Sequence, residues 1–401
     1  MFLQTIHIIE IIIWAIMLSS VAYVTFFAMA DLVRRIRLRM RCKPSTADMD
    51  IADADMPLAR FLVLFPTYSE DKVIVSSVTS FLNQSYPKHH FDIVVISDHN
   101  SDETNEALAK LPIITLKPVF EESTKAKALQ YAIANTHGDY THVVIMDADN
   151  IADNDFLNKL NTSCQKGYKA IQCHRCAKNG NTGVAVLDGI SEEINNTIFR
   201  SAHNAIGLSS ALIGSGMCFD YAWFAANVTK LQTAGEDREL ERMLISDHIF
   251  VKYEADIPVY DEKVSDKENF RHQRQRWLSA QTNALITMLP RLPHAIMRGD
   301  INYVDKALQQ ALVPRSMLIV ILVFFSVVMV TMMPVWSAKW WILLIVLILS
   351  LIVSIPKKMR GQAMFSNIKL MFQLVGSLFA TLHHVNRKNK TFNHTRHAGE
   401  G

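Results

Sequence analysis

The sequence predicts an α/β domain built on a mostly parallel sheet and tethered to transmembrane helices. Three observations carry that expectation. Short apolar runs alternate with helical patterns between residues 59 and 290, polar clusters close several of those runs on their carboxyl side, and three longer apolar stretches lie outside the block. Strand signals alternating with helix signals point to a parallel sheet with helices on both faces.

The longer stretches come first in chain order. Residues 6–30, IHIIEIIIWAIMLSSVAYVTFFAMA, carry one charge, Glu10. They are long enough to cross a hydrocarbon layer of about 30 Å. Basic residues follow the run as RRIRLRMRCK, whereas a signal peptide would have them precede it. The positive-inside rule then puts the main domain in the cytoplasm, and the expected location is the inner (plasma) membrane, multi-pass. Residues 316–333 and 335–355 form a second and a third span, with Lys339 snorkelling near the start of the third. In 364–385, Phe365, Ile368, Phe372, Val375, Phe379 and Leu382 follow helical spacing between basic flanks, which reads as an interfacial helix, with a fourth span as the alternative. The expected organisation is a transmembrane helix with basic flank at 1–43, an acidic linker at 44–58, a cytoplasmic domain at 59–290, an interfacial segment at 291–315, two transmembrane helices at 316–355, and an interfacial helix with a basic tail at 356–401.

Composition narrows the function classes. A formal net charge of +3 over 401 residues argues against a nucleic-acid partner. The 50% hydrophobic content is high for a soluble enzyme. Five cysteines in a cytoplasmic domain read as free thiols, and Cys173 with Cys176 lacks the second pair a zinc site needs.

Within the central block, strands are expected at 61–65, 91–97, 113–116, 143–146 and 170–173, with helices at 71–84, 102–109, 123–135 and 153–166. In such sheets ligands sit beyond the carboxyl ends of strands. Here those ends read PTYSED, DHNSD and DADN. Ser69, Ser101 and Asn150 also have residue types that start helices, so each loop has a plain capping reading.

The stretch HVVIMDADN poses the sharper question, because Asp147 and Asp149 repel each other and suit a strand poorly. Either they form a solvated turn or they hold a hard cation. The sequence contains its own control: Asp53-Ala54-Asp55 repeats the tripeptide in an acidic stretch with no strand before it, and reads as linker.

The ordered set PTYSE, SDHNSDET, TKAKAL, DADN, GSGM, GEDREL and QRQRW makes residues 61–290 resemble the nucleotide-sugar-binding domain, of GT-A type, of the inverting family 2 glycosyltransferases. That membrane-associated group includes cellulose, chitin and hyaluronan synthases. The resemblance implies a UDP-sugar donor. Asp98 would accept the uracil imide N–H, Thr67, Tyr68 and Glu70 would contact the nucleoside, and Lys125 would face the diphosphate. Asp149, with Asp147 beside it, would hold Mg²⁺ or Mn²⁺. Asp237 would be the catalytic base, preceded by Glu236, although an acidic first turn of a helix is the plain alternative. Gly214 and Gly216 would let backbone approach the sugar. Gln273 and Arg276 share a helical face, where Arg276 can pair with diphosphate and Trp277 can stack on an acceptor.

Two activities fit: repeated transfer of a hexose or N-acetylhexosamine to a growing cell-surface polysaccharide, or a single transfer to a lipid headgroup, as ceramide glucosyltransferase performs. A non-catalytic scaffold is the third reading, and the full set of carboxylates speaks against it. The expected partners are the donor, a polysaccharide or lipid-linked acceptor, membrane lipid, and a secretion or channel protein.

Overall fold

The computed structural model describes residues 2–41, 57–233, 235–361 and Leu370. The repeated tripeptide at 53–55, the helix expected at 364–385 (Leu370 apart) and the basic tail lie outside the described residues. The chain divides into two units. Described residues 57–180 and 208–264 form the first, and 2–41, 181–207 and 265–361 belong to the second.

The first unit is built on a single eight-stranded sheet. Its strands are β1 (Phe61–Tyr68), β2 (Phe91–Asp98), β3 (Ile114–Leu116), β4 (His142–Ile145), β5 (Ile151–Ala152), β6 (Ala170–Ala177), β7 (Met217–Asp220) and β8 (Val251–Asp261). Their spatial order is β3-β2-β1-β4-β7-β6-β8-β5. The pairings β1–β2, β1–β4, β2–β3 and β6–β8 are parallel. Those of β7 with β4 and β6, and of β5 with β8, are antiparallel. The sheet is therefore mostly parallel with antiparallel insertions. The five expected strands are all present, each within a few residues of its expected bounds.

Side-chain alternation divides β1 between two cores, as the pleat requires. Phe61, Val63 and Phe65 pack with Val78 and Phe81 of helix Ile74–Phe81 and with Phe156 and Leu160 of helix Phe156–Gln165. Leu62 and Leu64 pack on the opposite face with Leu129 of helix Lys125–Asn135 and Leu244 of helix Glu236–Ser246. Both faces are covered, which explains why β1 reads as a continuous apolar run rather than an alternating one.

Capping follows expectation at one of three loops. Ser101 accepts from Thr104 N at 3.2 Å and caps helix Asp102–Ala109. Ser69 instead sits at φ 53°, short of a helix that begins at Ile74. Asn150 turns back to accept from Asp147 N at 2.9 Å, and Asp155 precedes the helix that follows.

The second unit contains helix Phe2–Arg41, helix Gly183–Asn195 with a π-helical turn Asn196–Ser201, and helices Lys267–Met288, Leu292–Arg298, Ile301–Ala311, Arg315–Met332 and Pro334–Ser354. Among the described residues three helices are long and apolar enough to cross a membrane: His7–Met40, Arg315–Met332 and Pro334–Ser354. Residues 181–207 and 265–290 group with these helices rather than with the sheet, a division that the helical patterns alone did not show. Lys339 pairs with Glu10 at 2.8 Å, and Trp340 Nε1 donates to the same carboxylate at 2.7 Å. A charge in an apolar helix is retained when a neighbouring helix neutralises it.

Candidate active site

The site lies at the carboxyl ends of β1, β2 and β4. The register aligns Tyr68 with Asp98, so two polar strand ends finish side by side. Asn100 fastens them: its Oδ1 accepts from Glu70 N at 2.9 Å and its Nδ2 donates to Ser97 Oγ at 2.9 Å and Thr67 Oγ1 at 3.3 Å. Ser69 and His99, at φ 53° and 55°, both adopt the left-handed conformation that non-glycine residues rarely take. Such conformations persist where surrounding bonds over-determine them. Ser69 N donates to Asp98 O at 3.0 Å, and Ser69 Oγ to His99 O at 3.2 Å. The Asp98 side chain is buried and holds His99 Nδ1 at 2.6 Å, while the His99 and Tyr68 rings lie 5.2 Å apart.

Past β4, charged groups gather around the turn 213–216. Lys125 Nζ bonds Asp147 Oδ1, donates to Gly214 O at 2.7 Å, and lies 3.5 Å from Glu236 Oε1. A Cβ built on Gly214 would stand 3.8 Å from Glu236 Oε1, 3.9 Å from Asp237 Oδ2 and 3.9 Å from Lys125 Nζ. Lys125 and the adjacent pair Glu236 and Asp237, far apart in the chain, thus converge on one glycine. The turn itself is fixed from β6, where the fully buried Gln172 donates to Ser215 O at 2.9 Å and accepts from Ile213 N at 3.0 Å.

The matching family model is glycosyltransferase like family 2, over residues 59–280. The chain belongs to this family. The chain is 25% identical over 165 residues to the dolichyl N-acetyl-alpha-D-glucosaminyl phosphate 3-beta-D-2,3-diacetamido-2,3-dideoxy-beta-D-glucuronosyltransferase of Methanococcus voltae, covering 40% of this chain and 47% of that protein. It is 27% identical over 106 residues to the poly(ribitol-phosphate) beta-N-acetylglucosaminyltransferase TarS of Staphylococcus aureus, covering 25% of this chain and 17% of TarS. The chain thus matches less than half the length of either relative. Among solved structures, a mannosyltransferase from Pyrobaculum calidifontis in complex with GDP-Man and Mn²⁺ superposes with a TM-score of 0.48 at 17% identity, covering 84% of this chain and 99% of that one.

The electrostatics around Gly214 follow from burial and proximity. Burial works against a charged Lys125, but Asp147, Glu236 and Asp237 outweigh it and raise its pKa. Glu236 moves the other way: burial pushes its carboxyl up to about 7, Lys125 pulls it down, and Asp237 and Asp147 add to the rise. The folded pKa of about 7 stands above the ordinary 4.5, so the folded state holds this proton more tightly than the unfolded chain. The stability contributed is full below pH 4.5 and is lost as pH rises through 7. Glu236→Gln, which cannot ionise, is expected to remove a pH-dependent loss of about 3 kcal/mol. Denaturant midpoints of both proteins at pH 5 and pH 8 measure it, and equal slopes would contradict it.

The two candidate metal ligands are held differently. Asp147 is 31% exposed, and its Oδ2 receives no hydrogen bond among the described residues. Asp149 is buried, with Oδ2 accepting from Glu262 N at 2.7 Å and Oδ1 from Asn150 Nδ2 at 3.1 Å. An ionised carboxylate has about four acceptor positions, and the open Oδ2 of Asp147 fits a hard cation.

Other expected residues fall elsewhere. Gly216 does not open toward a ligand: with φ at 61°, its Cβ would come within 3.0 Å of Val259 Cγ2 and 3.3 Å of Cys173 Cβ. It is the close-packing glycine between β6 and β8. Gly216→Ala is expected to cost about 2–3 kcal/mol, readable as a lowered urea midpoint. Gln273, Arg276 and Trp277 lie on helix Lys267–Met288 of the second unit, where the Arg274 guanidinium stacks 4.4 Å from the Trp277 ring. Cys164, Cys173, Cys176 and Cys218 are free thiols. Sequence reasoning missed Asn100, Gln172 and Ser215, which brace the site. A glutamine inside the apolar run AIQC was the available signal for one of them.

Proposed function

We propose that this protein is a membrane-bound inverting glycosyltransferase that moves a hexose or N-acetylhexosamine from a UDP-sugar to a growing cell-surface polysaccharide. The observation that carries this reading is the convergence of Lys125, Glu236 and Asp237 on Gly214, with Asp147 bonded to the same lysine. Lys125 offers the diphosphate a compact positive charge. Asp237 Oδ1 is engaged by Arg238 N at 2.8 Å, and its Oδ2 faces Gly214. That oxygen takes the proton of the acceptor hydroxyl as the hydroxyl oxygen bonds to the anomeric carbon and the bond to diphosphate breaks. Asp98 receives the uracil imide, with Thr67, Tyr68 and Glu70 around the nucleoside. A divalent cation held by Asp147 and Asp149 would neutralise charge on the leaving diphosphate. The family resemblance gives Arg276 a contact with the diphosphate and Trp277 a stacking contact with the acceptor, with Gln273 on the same helical face.

The name of TarS, an N-acetylglucosaminyltransferase acting on a polymer, favours the polysaccharide reading. The dolichyl phosphate acceptor in the Methanococcus name favours the second reading, one transfer to a lipid-linked acceptor. The three apolar helices support membrane association; the proposed setting is the inner membrane, multi-pass, with the catalytic domain in the cytoplasm by the positive-inside rule and a secretion or channel protein as partner. Purified protein in lipid, given a panel of radiolabelled UDP-sugars, tests this. High-mass label on a gel supports polymer extension, label in the lipid phase on a thin-layer plate supports single transfer, and no label from any donor overturns both.

A further inference from the structure

In the second unit, two arginines converge on one serine. Arg274 Nη2 lies 2.5 Å from Asp188 Oδ1 and 3.4 Å from Ser191 Oγ. Arg315 Nη2 lies 3.4 Å from the same Oγ, 3.2 Å from Ser191 O and 2.7 Å from Asn195 Oδ1. Every acceptor of Arg315 among the described residues is therefore neutral. Two guanidinium groups brought to one hydroxyl repel each other, and while Asp188 neutralises Arg274, no carboxylate among the described residues bonds Arg315. Arg200, which also acts on Arg315, is held by Glu192 at 3.0 Å and Asn196 at 2.6 Å. The cluster sets Arg200, Arg274 and Arg315 against Asp188 and Glu192, leaving one positive charge over.

The hydrogen-bond ledger is incomplete in the same place. Arg274 Nε and Arg315 Nη1 are buried nitrogens without a partner among the described residues. Buried donors are nearly always satisfied, and an orphaned pair beside an excess positive charge calls for an anion. The guanidinium fork matches the oxygens of a phosphoryl group. Phe270 and Trp277 hold Arg274 in position, their rings 4.8 Å and 4.4 Å from its Cζ. The π-helical turn Asn196–Ser201 begins directly after Asn195, and such turns concentrate at functional sites.

The position of Arg315 identifies the source of the phosphoryl group. It opens a helix that carries no further charge through Met332 and is apolar enough to span a membrane. The charged start of such a helix lies at the depth of lipid headgroups. We propose that Arg274 and Arg315, with Ser191 between them, bind the phosphoryl group of a membrane lipid headgroup.

The test uses the full chain in dodecyl maltoside, which contains no phosphate, and reads binding rather than sugar transfer, so failure of the transfer reading leaves it intact. The probes are dioctanoyl phosphatidylglycerol, dioctanoylglycerol with the same chains but no phosphate, and inorganic phosphate, each titrated calorimetrically. Saturable binding of the phosphatidylglycerol alone is expected, weakened about tenfold or more by Arg315→Gln and by Arg274→Gln. Arg315→Lys keeps the charge and the helix start but not the fork, and is expected to weaken binding less. Equal affinity for inorganic phosphate would overturn the lipid as the source. Equal affinity for dioctanoylglycerol, no binding of any probe, or unchanged binding in folded variants would overturn the site. The wild-type comparison decides even where a variant does not fold.

Discussion

Asp237→Asn is expected to slow sugar transfer by about 10²- to 10⁴-fold while UDP affinity stays near that of the wild type. An acceptor hydroxyl is a weak nucleophile until its proton is removed, and asparagine keeps the shape of aspartate without the basic oxygen. The local bonding makes the substitution a clean one. Among the described residues Asp237 Oδ1 accepts only from the adjacent Arg238 N, a bond the asparagine Oδ1 can keep, and the change falls on the oxygen facing Gly214. Were Asp237 only an acidic residue in the first turn of helix Glu236–Ser246, its loss would cost at most about 1 kcal/mol of stability and spare turnover. The measurement pairs UDP titration with transfer at saturating donor. A variant keeping more than about a tenth of wild-type turnover would remove Asp237 from the role of base.

Chelation is expected to abolish transfer, and Mg²⁺ or Mn²⁺ to restore it. Octahedral cations of this kind are held by one or two carboxylates together with phosphate oxygens, which matches a carboxylate pair at a strand end. Asp147 and Asp149 separate in a second experiment. Asp149→Ala also strips Glu262 N and Asn150 Nδ2 of their acceptor, so it should lower stability as well as activity. Asp147→Asn removes charge from the more exposed residue, should reduce activity with little unfolding, and should weaken Mn²⁺ binding measured by electron paramagnetic resonance. Full turnover in excess chelator would overturn the metal assignment.

The central strands were legible because burial on both faces writes itself as unbroken apolar runs, as in FLVLF. The antiparallel strands were not. Ile151–Ala152 and Met217–Asp220 are too short for a periodic signal, and β8 runs past a register shift between Cys173 and His174 of its partner β6. Lys125 and the carboxylates could be read from motif order, whereas their closure around Gly214 depends on a turn held by Gln172, a long-range bond that no local pattern encodes. Ser69 and Asn150 looked like helix starters because their residue types serve both purposes, and only tertiary bonds decide which one is used. The grouping of 181–207 with 265–290 rests on helix packing between segments far apart in the chain.

The bond between Glu10 and Lys339 joins positions 329 residues apart. During synthesis the first apolar helix leaves the ribosome long before its counter-charge exists, and a lone carboxylate in a bilayer costs roughly 3 kcal/mol near the centre of a span. Until Lys339 is made, Glu10 therefore lacks the ammonium group that neutralises it in the folded chain. Closure of this pair is a late event in synthesis: a chain stopped after Met332 holds the first apolar helix without the counter-charge that the third one brings.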